Sequence, residues 1–158
     1  MPFGVFFLNE SGGKGMLIKQ ISIFLENKSG RLAEVTRVLG SNKIDISALS
    51  IADTTDFGIL RLIVNRPEEA VEILKENGFT VSCTSVIAIS IADKPGGLAT
   101  ALDILKREGI GIEYLYAFVG KAENEALVIL KVADTDKAIK ALKDNGINVI
   151  SSDSVYRL

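Results

Sequence analysis

Residues 89–116 read ISIADKPGGLATALDILKREGIGIEYLY, and residues 23–50 read IFLENKSGRLAEVTRVLGSNKIDISALS. Laid over one another at an offset of 66 residues, the two stretches need no gap. Ile23, Lys28, Gly30, Leu32, Ala33, Leu39, Ile44, Ile46 and Leu49 meet identical residues at 89, 94, 96, 98, 99, 105, 110, 112 and 115. Past a two-residue insertion in the second copy the offset becomes 68, and Leu62, Val64, Ala70, Leu74, Lys75, Asn77, Gly78 and Val81 meet Leu130, Val132, Ala138, Leu142, Lys143, Asn145, Gly146 and Val149. The shared positions are mostly apolar residues and glycine, which marks one fold written twice.

Each copy reads as β-α-β-β-α-β. Ile21, Ile23 and Leu25 recur at every second position, with Ser22 and Phe24 between them, and Ile87, Ile89 and Ile91 alternate with small residues, so both segments read as half-buried strands. A glycine-containing turn follows, Asn27 to Gly30 or Asp93 to Gly96. Leu32, Val35 and Leu39, or Leu98, Leu102 and Leu105, then share one helix face. Strands start at Ile44 and Ile110. Polar turns near Thr54-Thr55-Asp56 and over 121–124 lead into strands over 59–64 and 126–132. Second helices run over about 67–76 and 135–144. Pro67 suits a first helical turn, and Asn77-Gly78 and Asn145-Gly146 supply a left-handed stop. A last strand starts at Phe79 and at Ile147.

The strand after the first helix breaks its own period. Ile44 and Ile46 share a face, but Leu49 and Ile51 have the opposite parity, and the same shift separates Ile110 and Ile112 from Leu115. A bulge near Ser47 and Glu113 repairs the parity; a strand covered on both faces accounts for it equally well. The fold class expected is α+β: two tandem ferredoxin-like βαββαβ repeats, with antiparallel sheets and helices on one face. Repeat 1 is expected over 16–84 and repeat 2 over 85–158. Each is marginal alone, and the uncovered sheet face and edges call for docking of the copies and dimerisation.

Composition narrows the chemistry. The 158 residues are 47% apolar and carry a net charge of −2; the isoelectric point is near 5.3 and the mean hydropathy +0.30. There is core material, and there is no global positive field to draw nucleic acid or anionic lipid. Histidine is absent, which removes imidazole acid–base catalysis, His-dependent triads and His-ligated zinc. Cys83 is the one cysteine, which suits a reducing cytoplasm and leaves no partner for an internal disulfide. No stretch approaches the roughly 18 apolar residues of a membrane span. No cofactor or metal is expected. Residues 1–15 read as an extension: Val5 to Leu8 is too short for a secretory core and Ser11 to Gly15 is glycine-rich, so either Met16 is the functional start or residues 1–15 form a short ordered extension whose Phe6 and Phe7 cover some of the sheet.

Asp93-Lys94-Pro95-Gly96-Gly97-Leu98, followed by Gly109-Ile110-Gly111-Ile112, has the pattern D-x-P-G-x-L, then a helix, then I-x-I. It resembles the ACT domain, a ferredoxin-like module that binds amino acids. Asn27-Lys28-Ser29-Gly30-Arg31-Leu32 fits less closely, with Asn for Asp and Ser for Pro. Residues 51–62 and 112–118 also resemble stand-alone tandem ACT proteins, and the resemblance covers residues 17–158. It implies a regulatory protein that senses a free amino acid, forms a homodimer, and acts on a biosynthetic enzyme or a transcription regulator. The ligand-binding set it implies is Asp93, Lys94, Pro95, Gly96, Gly97, Leu98, Gly111 and Ile112 in one copy. In the other it is Asn27, Lys28, Ser29, Gly30, Arg31, Leu32, Asp45 and Ile46.

The loop chemistry is consistent with that role. A helix N-terminus offers unpaired N–H groups and partial positive charge to a carboxylate. Glycine removes the Cβ that would hold a ligand away. Asp93 or Asn27 is the acceptor expected for the ligand's ammonium, and the backbone near Ile112 and Ile46 is expected to hold its other side. The plain alternative is that Asp93 and Asn27 cap the helix and the glycines only turn the chain. Other features read as structural. Asp56-Phe57-Gly58 lacks the companions of a kinase motif. Tyr114, Tyr116 and Phe118 share a strand face and are expected to pack. An acylphosphatase-type enzyme would depend on Arg31, the one arginine in either loop. An RNA-binding module would need exposed aromatics and a basic face. A ligand-free adaptor is the remaining alternative.

Overall fold

The computed structural model describes residues 14–26, 28–53, 56–118 and 123–158. The expected extension (except residues 14 and 15), Asn27, Thr54-Thr55 and residues 119–122 lie outside them. The described elements are β1 (Ile18–Glu26), α1 (Arg31–Ser41), β2 (Ile46–Asp53), β3 (Phe57–Val64), α2 (Pro67–Glu76), β4 (Thr80–Ala92), α3 (Gly97–Arg107), β5 (Ile112–Ala117), β6 (Glu125–Val132), α4 (Thr135–Asp144), β7 (Asn148–Ile150) and α5 (Ser152–Tyr156). A single 3₁₀ turn, Lys14–Met16, precedes β1. No helix among the described residues is long and apolar enough to cross a membrane.

The chain forms two compact units. One comprises Lys19–Ser85 with Tyr156–Leu158; the other comprises Val86–Val155 with Met1–Ile18. In the first, the strand order is β2-β3-β1-β4; in the second it is β5-β6-β4-β7. Pairs β1·β3 and β2·β3, and pairs β4·β6, β5·β6 and β4·β7, are antiparallel. This is the ferredoxin-like order expected twice over. The two strands expected on either side of residue 85 are one continuous strand, β4.

Each unit has its own core. Ile21, Ile23, Leu60, Leu62 and Val64 of the first sheet pack with Val35, Leu39, Ala70 and Leu74 of its helices and with Phe79. Ile87, Ile89, Leu130 and Val132 pack with Ala101, Leu105, Ala138 and Leu142 in the second. Met16 and Leu17 lie against this second core, and the Ser152 hydroxyl donates to the Gly15 carbonyl at 3.2 Å. At the other end of the chain, the Lys19 amide of the first unit donates to the Tyr156 hydroxyl at 2.8 Å. Full burial of a Leu or Ile contributes about 1.5–3 kcal/mol, so these contacts, repeated on one face of each sheet, set the helices in place.

The parity break is resolved by a bulge in both copies. Pairing of β2 with β3 shifts between Ile46 and Ala48, and pairing of β5 with β6 shifts between Ile112 and Tyr114. The extra residues are Ser47 and Glu113, so Ile46 and Leu49 both face the helix side. The first helix face departs from expectation at its start. Val35 and Leu39 are buried, but Leu32 is 39% exposed, because the opening turn of α1 projects past the core. In α3, Ala101, Ile104 and Leu105 carry the burial, and Leu98 and Leu102 are only partly covered.

Candidate functional site

The strand–helix loop of the second unit is a tight, self-bonded turn. Beyond Ala92 at the end of β4, the Lys94 amide returns to the Ala92 carbonyl at 2.9 Å, and the Gly97 amide to the Lys94 carbonyl at 3.0 Å. Gly96 is the N-cap of α3 with φ 84°, in the left-handed region that any residue with a Cβ enters at a cost. Its carbonyl accepts the Thr100 amide at 3.1 Å and opens the helical ladder. The amides of Leu98 and Ala99 donate to no acceptor among the described residues. They are the open donors of this helix start, and the helix dipole adds partial positive charge there. The Gly97 amide, expected to face a ligand, is spent on closing the turn.

Gly97 has a second reason to be glycine. A Cβ there would stand 2.0 Å from the Ala92 carbonyl oxygen. The helix therefore starts hard against the strand end. The Asp93 amide bonds the Asn124 carbonyl at 3.1 Å, which ties the loop to the turn before β6. Asn124 has a φ of 61°. An asparagine in a polar turn is the one signal of this position in the sequence.

The first unit repeats the turn with one change. Gly30 is the N-cap of α1 with φ 89°, and the Lys28 amide returns to the Glu26 carbonyl at 2.7 Å. Arg31 occupies the position of Gly97, and its amide reaches the Lys28 carbonyl at 3.4 Å, a looser closure than the 3.0 Å of the second unit. Its guanidinium does not reach out to the loop. The central carbon lies 4.7 Å from the Phe79 ring centroid, and Nη1 donates to Glu34 at 2.8 Å. Arg31 Nε is buried without an acceptor among the described residues. Lys28 pairs with Glu26 at 2.8 Å, and this hydrogen bond and charge hold the Glu26 carboxyl below its ordinary range. Ser29, Lys94 and Pro95 are exposed. Asn27 lies outside the described residues.

Within one unit the loop does not meet the other residues expected beside it. Glu26 pairs with Phe57, and Asp53 with Gly58, so the loop sits at the Asp53 end of β2; Ile46 pairs with Val64 at the opposite end. In the second unit Ala92 pairs with Glu125, whereas Ile112 pairs with Val132. The two ends are about 20 Å apart along the sheet. Asp45 and Ile46, and Gly111 and Ile112, are thus placed away from the loop of their own unit. The cause is the helix between them, which returns the chain to the start of β1 or of the Val86–Ala92 segment before the next strand begins. There the Asp45 amide donates to the Asn65 side chain at 3.1 Å, and the Gly111 carbonyl accepts the Ala133 amide at 3.2 Å.

The remaining features carry less chemistry. One open cleft runs between α3 and α4, past Thr100, Asp103, Arg107 and Asn145; another lies by α2 and β4, past Lys19, Glu68, Lys75 and Cys83. Neither includes a loop residue. Tyr116 is 8% exposed, and Tyr114 and Phe118 are half-buried, so this face offers no open aromatic platform. Arg31 is engaged with Phe79 and Glu34, which leaves it unsuited to cradle a phosphate. No group of three His, Cys, Asp or Glu side chains able to hold a metal occurs among the described residues.

A doubled βαββαβ chain with a glycine turn opening the first helix of each half defines a tandem ferredoxin-like pair. The model of the ACT domain pair matches residues 16–158, and the chain belongs to that family. It is similar to protein BT0572 from Bacteroides thetaiotaomicron, with 46% identity and a TM-score of 0.86 over 90% of this chain and 98% of that one. The regulatory subunit of aspartate kinase from Thermus thermophilus, in a ligand-free form, shares the fold at 17% identity and a TM-score of 0.63, over 87% of this chain and 98% of that one. Its Thermus flavus counterpart shares it at 17% identity and 0.58, over 85% and 98%. No curated protein matches the chain.

Proposed function

We propose that this protein is a non-catalytic regulator that binds a free amino acid at its strand–helix loops, above all at Asp93 to Leu98. The observation that carries the reading is the start of α3. Leu98 and Ala99 have amides open among the described residues, the turn before them is lined by Gly96 and Gly97, and Gly96 presents no Cβ. A ligand carboxylate would accept from those amides, and Asp93 would face its ammonium. The first loop, with Arg31 folded onto Phe79, would take a different ligand or serve as a structural partner.

An amino acid has few heavy atoms, so a Kd from micromolar to millimolar, about −8 to −4 kcal/mol, is the expected range. That range suits a sensor of a metabolite pool in the cytoplasm. Ligand would act by favouring one assembly over another through differential affinity. The fold shared with regulatory subunits of aspartate kinase supports an enzyme of amino-acid biosynthesis as the partner, with a transcription regulator as the other class, and a homodimer as the working unit.

A thermal-shift screen against each amino acid, run on the wild type and on Gly96→Val, tests this. One ligand is expected to raise the Tm of the wild type and to leave Gly96→Val unmoved, with the far-ultraviolet spectrum of the variant unchanged. A wild type that no amino acid stabilises contradicts the proposal.

A further inference from the structure

In the first unit an open cleft of about 430 Å³ separates α2 from the sheet, lined by Glu68, Val71 and Glu72 of the helix and by Lys19, Cys83 and Ser85 of the strands. Ile21 and Ile23 of β1, and Phe79 and Val81 at the start of β4, fill the layer between sheet and helices. Lys19, Cys83 and Ser85 continue those alternating positions with polar side chains, so the core stops short of the cleft. The second unit differs at the same place. The offset of 68 that relates the repeats carries Val71 onto Ile139 and Thr84 onto Ser152. Thr84 lines the cleft of the first unit. Ser152 instead donates to the Gly15 carbonyl at 3.2 Å, and Met16 and Leu17 pack against the second core. Ile139 is 5% exposed and belongs to that core, whereas Val71 is only partly buried. A short stretch of chain, Gly15 to Leu17, thus lies beside the counterpart of Thr84 in one unit, and the corresponding place stands open in the other.

We infer that the α2 cleft receives a short segment of a partner protein, with adjacent apolar side chains and a lysine or arginine beside them. The apolar part follows from the repeat: Met16 and Leu17 are what the second unit sets against its core, and Val71 is the apolar group that the first unit leaves partly uncovered. The charge follows from α2, which carries Glu68, Glu69, Glu72 and Glu76 against Lys75. Lys19 takes Glu68, and Glu72, within the cleft, has no ion-pair partner among the described residues. Helix α4 has the opposite balance, with Lys137, Lys140 and Lys143 against Asp136 and Asp144. A cationic segment is therefore drawn to the first unit in preference to the second. The cleft contains no residue of either strand–helix loop, so a partner held there leaves the loops open to a ligand. This inference goes beyond amino-acid binding and stands without it.

The probe for the test is the second unit's own cover supplied in trans: an acetylated and amidated peptide KGMLIK, the sequence of residues 14–19, added to the full chain. Cys83 is the one cysteine and lies exposed in the cleft, so its rate of alkylation by iodoacetamide reports occupancy. The peptide is expected to slow that alkylation in a saturable way and to shift the amides of Val71, Cys83 and Ser85. A peptide with serine in place of its methionine, leucine and isoleucine is expected to do neither. Glu72→Lys, at an exposed position, is expected to weaken KGMLIK by about tenfold at low salt, with an unchanged circular dichroism spectrum. Alkylation indifferent to the peptide at every concentration overturns the inference, and so does equal protection by the serine peptide. Alkylation that slows as the protein alone is concentrated places a second copy in the cleft and overturns it too. Each result is obtained with no amino acid present, so it is independent of ligand binding at the loops.

Discussion

The carbonyl oxygen of Ala92 occupies the space where a side chain on Gly97 would begin, 2.0 Å from the position of its Cβ. Backbone is a poor neighbour to displace, so Gly97→Ala must move the last residue of β4 away from the first turn of α3. We expect a loss of about 2 kcal/mol or more in urea unfolding, with the amide shifts of residues 92–99 displaced. Gly96→Ala meets no atom within 4 Å and strains only its φ of 84°, so it should cost about 1 kcal/mol.

Arg31 stands at the repeat position of Gly97 and stacks on Phe79 while bonding Glu34. Arg31→Ala removes a cation–π contact and a partly exposed ion pair, and it frees the buried Nε of a desolvation cost. The net loss expected is about 1 kcal/mol. Phe79→Leu, which stays apolar but is smaller and lacks the ring, should account for part of it in a double-mutant cycle with Arg31→Ala.

Lys19 donates a hydrogen bond to Glu68 and pairs with it. That bond and charge hold the Glu68 carboxyl below its ordinary value of 4.5. A carboxylate with a lowered folded pKa stabilises the fold fully above its unfolded value, and the contribution is lost as the pH falls through the folded one. The side-chain carbon resonance of Glu68 should therefore titrate below 4.5 in the wild type and move up toward the ordinary range in Lys19→Met, while the backbone amide of Glu68 still holds it down in part. Because the pair is largely exposed, the effect should shrink at high salt.

The Tyr156 hydroxyl accepts the Lys19 amide at 2.8 Å and joins the chain's end to the start of the first unit. Burial pushes its phenol above the ordinary value. Tyr156→Phe keeps the ring and deletes the acceptor, and should lower stability by about 1 kcal/mol.

Much of this fold is legible in the residues. The spacing of Val35 and Leu39, the alternation of Ile21, Ile23 and Leu25, and the Asn-Gly stops are local signals, and each strand or helix they mark is present. The parity of Leu49 against Ile46 marks a break near Ser47, because a sheet face tolerates no slip of one residue, but a bulge and cover on both faces explain it equally; the pairing shift between Ile46 and Ala48 decides for the bulge. The continuity of β4 through Ser85 and Val86 is not legible, since nothing in VSCTSVIAIS separates one long strand from two short ones. Nor is the short helix Ser152–Tyr156, which has too few residues for a periodic pattern.

The loop is readable as a glycine turn at a helix start; its bonding is not. That Gly97 needs glycine for contact with Ala92, that its amide is spent inside the turn, and that Arg31 folds back onto Phe79 all depend on groups brought together in space. The distance from the loop to Asp45, Ile46, Gly111 and Ile112 depends likewise on where the intervening helix returns the chain, and residue types do not record it.

The central claim is that the open amides at the start of α3 receive an amino acid's carboxylate. Amide proton–nitrogen spectra recorded while each amino acid is titrated into the folded protein test it most directly. One amino acid is expected to shift the Leu98 and Ala99 amides in a saturable way, on a micromolar to millimolar scale. Spectra in which those two amides stay fixed through every titration would contradict it.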